Sequence, residues 1–116
     1  MKKVVINICF GGFSLSRHAL TEYAARKGHT LYFNKLSEYS EIAYTSPDFS
    51  EISYFSNYDV ERDDPDLIAV IEQYGEEICS GGHARLKIVE IPDDVEFVIE
   101  EYDGSEHIAE KHRTWA

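Results

Sequence analysis

Gly11 and Gly12 stand between an apolar run and a serine-bearing helix start, in the order Cys9-Phe10-Gly11-Gly12-Phe13-Ser14-Leu15-Ser16. A glycine pair in that position exposes backbone N–H groups beside a helix N-terminus, an arrangement that holds phosphate or carboxylate. Ser14 and Ser16 add hydroxyl donors. Arg62 and Arg113 are chosen on chemistry alone to complete such a site, because arginine pairs well with phosphate oxygens. The pattern is neither GxGxxG nor a P-loop ending in Lys-Ser/Thr. Its structural alternative is a tight strand-to-helix turn that uses glycine for backbone freedom.

Cys9 beside this loop is the candidate nucleophile, since a helix N-terminus lowers a thiol pKa. Its base would come from His18, His29, His83 or His112, and no spacing selects among them. A buried, inert free thiol is the other reading. No metal site is expected. There is no CxxC, Cys9 and Cys79 belong to no Cys/His cluster, and His107 and His112 fall on opposite faces of a strand. The acids at 59–66 and Asp93-Asp94 lack the calcium-loop pattern and read as caps and solvated faces. No cofactor is expected either.

The elements that position these residues are legible from periodicity. Lys3 to Cys9 is nearly all apolar and β-branched, the pattern of a central strand covered on both faces. Ser16 caps a helix over 16–27, with Leu15 and Leu20 at staple spacing and Gly28 as its stop. Thr30 to Phe33 is a second strand. Ile42–Thr45 and Ile52–Phe55 pair as a hairpin around Ser46-Pro47-Asp48. Asp64, Pro65 and Asp66 start a helix over 64–74, closed at Gly75 or running on to Ile78.

Arg85–Ile91 is a strand. Glu96–Tyr102 and Glu106–Arg113 form a hairpin about Asp103-Gly104, a turn whose two positions need positive φ. In that register Glu100 faces His107 and Glu96 faces Lys111, while Phe97, Ile99 and Ile108 point to the core. The expected fold is α+β: one domain over 1–116, a mixed sheet of about five or more strands, two helices and a C-terminal β-hairpin.

The chain has 116 residues, 43% hydrophobic and 13% aromatic, enough to bury a core. Twenty-two acids against 11 Lys and Arg leave a net charge of -11. That field repels phosphate backbones and anionic membrane surfaces. It serves solubility, or it attracts a basic partner. No run has the length of a signal peptide or a membrane span, so a cytoplasmic location is expected. Tyr32 to Tyr58 holds 8 of the 15 aromatics, residues that stack on nucleobases and dominate protein interfaces. That segment and Trp115 are the expected interface of a homo-oligomer.

The stretches VINICFGGFSLS (5–16), RDDPDL (62–67) and LKIVEIPDDVEFVIEEYDGSEHIAEKHRTW (86–115) resemble a family of short, uncharacterised proteins encoded by tailed bacteriophages. That pattern is a strand, a Cys-aromatic-Gly-Gly loop, a helix, and an ending close to EYDG…AEKHRTW. Residues 34–60 do not share it. The resemblance implies a phage protein at work in host cytoplasm and brings no catalytic residue with it. Three functions follow from the residues: a non-enzymatic binder of a small anionic, nucleotide-like ligand, sequestering it; an acidic interaction protein that inhibits a basic host partner; and a small Cys-dependent enzyme, ranked last.

Overall fold

The computed structural model describes residues 1–38, 40–56 and 60–110. The chain runs β1 (Lys2–Asn7), α1 (Arg17–Arg26), β2 (Tyr32–Ser37), β3 (Ser40–Tyr44), a 3₁₀ turn (Glu51–Ser53), β4 (Tyr54–Phe55), α2 (Pro65–Tyr74), α3 (Glu76–Cys79), β5 (Leu86–Ile91), β6 (Phe97–Tyr102) and β7 (Ser105–Glu110). The class is α+β, ending in the expected strand pair. The strands do not join in one mixed sheet. They divide into β1-β5, β2-β3-β4 and β6-β7, every pair antiparallel.

The reason lies at the edges of β1-β5. The outward N–H of Val5 donates to the Arg62 carbonyl, and that of Asn7 to a Glu106 carboxylate oxygen. Across the sheet, Leu86 N–H donates to Ser80 Oγ and Ile88 N–H to Glu76 Oε2. Neither edge has backbone left at these positions for another strand. β1 is buried as a central strand would be, with Val4 to Asn7 all inaccessible, yet it pairs with β5 alone.

Ser16 caps α1 by accepting from the Ala19 N–H, and Asp64 caps α2 by accepting from the Asp66 N–H, with Pro65 in the first turn. α1 closes on Gly28 at φ +83. The Gly28 N–H reaches the Ala25 carbonyl and the His29 N–H the Ala24 carbonyl, a six-residue wrap that needs the left-handed residue. α1 buries Ala19, Leu20, Tyr23 and Ala24, and α2 buries Leu67, Ile68, Val70 and Ile71. These faces meet Val5, Cys79 and Leu86 in one core. Each large aliphatic there contributes about 1.5–3 kcal/mol.

The expected middle hairpin forms in part: Ala43 pairs with Phe55 and Tyr44 with Tyr54, Glu51–Ser53 is a 3₁₀ turn where strand was expected from Ile52, and β2 joins as a third strand through Tyr32–Tyr44. The second strand begins two residues later than expected and runs on to Ser37. The C-terminal hairpin has the expected register, Glu100 opposite His107 and Ile99 opposite Ile108. Asp103 (φ 52) and Gly104 (φ 92) form the two-residue turn. The expected Glu96–Lys111 pair lies outside the described residues.

This hairpin is a separate two-stranded arm, held to β1 through the Glu106 side chain and not by a strand ladder.

Candidate functional site

Loop 8–16 is clamped on both sides by the chain itself. Gly11 packs on the backbone of His83, and Gly81 packs on the Ser14 side chain, so tightly that a Cβ at either glycine overlaps its neighbour. The Gly81 N–H donates to the Ser14 carbonyl, and the Ser16 N–H to the Cys79 carbonyl. From the other side the Cα of Gly104 lies on the Phe10 carbonyl and the Gly12 nitrogen. Gly12 itself sits at φ +85 with open space where a Cβ would be. Its positive φ favours glycine by conformation. The Ser16 hydroxyl oxygen accepts from the Ala19 N–H of its own helix.

Arg62 is brought to this loop, but as part of a clasp. Its guanidinium lies 3.5 Å from the centroid of the Phe13 ring. Its two terminal nitrogens donate to the two carboxylate oxygens of Glu106 at 2.7 and 2.9 Å, the fork-to-fork geometry arginine favours. A further bond reaches the Val5 carbonyl. Glu106 is 6% exposed and also accepts from the Asn7 N–H. Arg113 lies outside the described residues.

Asn7 completes the clasp and was not singled out in the sequence. It is fully buried. Its Nδ2 donates to the carbonyls of Cys9 and Gly104, and its Oδ1 accepts from the N–H groups of Arg85 and Cys9. One amide thus ties β1, loop 8–16, β5 and the arm together. The available signal was a polar residue directly after the apolar run Val4-Val5-Ile6, where burial demands that every polar atom find a partner.

Cys9 is half-buried rather than sealed in the core, and among the described residues no hydrogen bond joins its thiol to a histidine. Cys79 is the fully buried thiol, and burial pushes its pKa up, which makes it inert. Among the described residues no group of three His, Cys, Asp or Glu side chains is arranged to hold a metal ion, and no helix is long and apolar enough to cross a membrane.

A second polar network joins the two long helices. Tyr23 Oη donates to Asp64 Oδ2 at 2.7 Å, and Lys27 Nζ bridges Asp64 and Asp66 at 2.9 Å each. Partial burial opposes the charge on Asp64, but the Tyr23 hydroxyl, the Lys27 ammonium and the Asp66 N–H outweigh it and hold the carboxyl below the usual range. Burial and the adjacent Asp64 push Tyr23 up to about 12. Beside this network a cavity of about 370 Å³ is lined by Tyr23, Lys27, His29, Tyr54, Phe55, Ser56 and Val60. Aromatic walls suit a planar ligand. The two carboxylates on Lys27 leave the cavity poor at attracting an anion.

A shallow groove of about 450 Å³ separates residues 60–63 from β6. Arg62 is engaged by Glu106 there, Glu61 and Asp63 are exposed, and Phe97 and Ile99 form an apolar wall. Residues 90–110 hold nine of the 22 acids and neither Lys nor Arg. Within that span, among the described residues, Asp93 meets the N-terminal amine, Glu106 meets Arg62, the Lys2 ammonium lies 5.0 Å from the centroid of the Phe97 ring, and Glu100 bonds the His107 ring. Comparison with family models, curated proteins and solved structures finds no match to the chain.

Proposed function

We propose that this chain is a non-enzymatic interaction protein whose partner presents a basic surface. The observation that carries the reading is the charge of the C-terminal arm and the turn before it: residues 90–110 hold nine acids and neither Lys nor Arg. A surface charge of one sign speeds and orients encounter with the opposite sign and rejects like-charged competitors. The resemblance to tailed-bacteriophage proteins makes a host protein the natural class of partner, met in host cytoplasm.

The anionic-ligand reading is the weaker one on this geometry. Arg62, the described arginine of that site, is already paired fork-to-fork with Glu106. The test is capture from a bacterial lysate at low and high salt. Wild type is compared with a variant in which Glu96, Glu100 and Glu101 are changed to Lys. A salt-sensitive protein partner held by wild type and released by the variant is the expected result. A partner untouched by the reversal, or a nucleotide that raises Tm without any protein partner, refutes the reading.

A further inference from the structure

We propose that the outer edge of β6, with the groove between it and residues 60–63, takes an extended Lys/Arg-bearing segment of a partner protein as an added strand. The inference rests on the basic-partner reading and gives it a place and a binding mode.

The first argument is the contrast between edges. Both edges of β1-β5 are plugged by Arg62, Glu106, Ser80 and Glu76. β6 pairs with β7 on one side, and among the described residues no hydrogen bond reaches its other side. A two-residue turn makes Tyr102 and Ser105 the first hydrogen-bonded pair, so Glu100 and Val98 bond inward to β7. Phe97, Ile99 and Glu101 then offer their backbone outward. A row of three residues with free N–H and C=O groups is a template for an incoming strand.

The second argument is chemical. The groove along that edge has an apolar wall of Phe97 and Ile99 and carboxylates at Glu61 and Asp63. Glu101 lies on the same face of β6 as Phe97 and Ile99, and Glu100 on the other. An added segment bearing cationic and apolar residues meets the groove's carboxylates with the first and its apolar wall with the second. A second copy of this chain is disfavoured by charge, because each copy carries a net charge of -11 and brings its own Glu100 and Glu101 to the short shared edge. The edge carries no Lys, Pro or bulge, the usual devices against strand addition. Its charges repel another copy and admit a cation.

Two labelled ten-residue peptides test this, one alternating Lys and Val, the other Lys and Pro. They carry the same charge, but proline removes every second N–H and fixes φ at about −65°, which disfavours the extended strand conformation. Anisotropy gives affinity, and ¹⁵N amide shifts on the intact chain give the location. The expected result is at least tenfold tighter binding of the Lys-Val peptide. The largest shifts fall at Phe97, Ile99 and Glu101, and the exposed pair change Glu61→Lys/Asp63→Lys loses at least tenfold. Equal affinity for both peptides, or shifts centred away from β6, overturns strand addition while leaving attraction to basic partners standing. Failure of both peptides to bind at low salt overturns both.

Discussion

Removing the Arg62–Glu106 clasp one partner at a time, then both together, is the sharpest test of how the arm is held. Glu106→Leu leaves a largely buried guanidinium without its carboxylate and the Asn7 N–H without an acceptor. Breaking a buried pair from one side removes about 3–5 kcal/mol, and Arg62 at 20% exposure moves the expectation to the low end, about 3 kcal/mol. Arg62→Met strands the Glu106 carboxylate and loses the stacking on Phe13, also about 3 kcal/mol. The double variant strands no charge. It leaves the Asn7 N–H unsatisfied, a penalty of about 1–3 kcal/mol. The sum of the singles is about 6 kcal/mol, so a coupling of about 3 kcal/mol or more is expected. Urea unfolding measures it. Amide exchange at Val98 and Ile99 adds a local reading, since an undocked two-stranded ribbon is barely stable by itself. Additive singles, or singles below about 0.5 kcal/mol, would refute the argument that this pair docks the arm.

Gly104→Ala drives a Cβ into the Phe10 carbonyl and demands φ +92 of an L-residue; a loss of at least about 2 kcal/mol is expected by urea unfolding. Gly82→Ala meets open space and should stay within about 0.5 kcal/mol. Asp64 titrates below its unfolded value, so its contribution is present at neutral pH and is lost as pH falls through the folded pKa; Asp64→Asn should flatten the acid limb of a stability–pH curve below about pH 4. Tyr23 should appear in an ultraviolet titration as a tyrosine ionising near 12, and Tyr23→Phe should remove that component. Light scattering at tens of micromolar distinguishes a monomer from the homo-oligomer expected from the aromatic middle segment. Exposed Ile52, Leu36 and Tyr54 are the described residues that would be covered.

The local chemistry of the chain was legible. Ser16, Asp64, Pro65 and Gly28 announce helix ends because caps depend on one or two residues and their immediate neighbours. Asp103-Gly104 announces its turn and, through it, the register of six cross-strand pairs. What stayed hidden is set by partners far along the chain. Nothing local to Ile88 says that Glu76 will seal its edge, so one mixed sheet looked natural where three small ones form. The surroundings of the glycine loop were hidden in the same way: Gly11 packs on His83, and Gly104 lies against the Phe10 carbonyl and the Gly12 nitrogen. Arg62 was picked for its chemistry and does meet a carboxylate, but that carboxylate is Glu106 of the same chain.

The sealing of β1 has a consequence for synthesis. The strand, carrying Val4, Val5 and Ile6, leaves the ribosome before its partners, which are the backbone of residue 62, strand β5 at 86–91 and the side chain of Glu106. At about 5–20 residues per second the last of these follows the first by roughly 5–20 seconds. Throughout that interval a short, apolar, β-branched segment travels with open edges, the type of segment that pairs with neighbouring chains. The nascent protein is therefore most exposed to aggregation before its arm is complete, and its final docking step joins sequence-distant parts that slow folding.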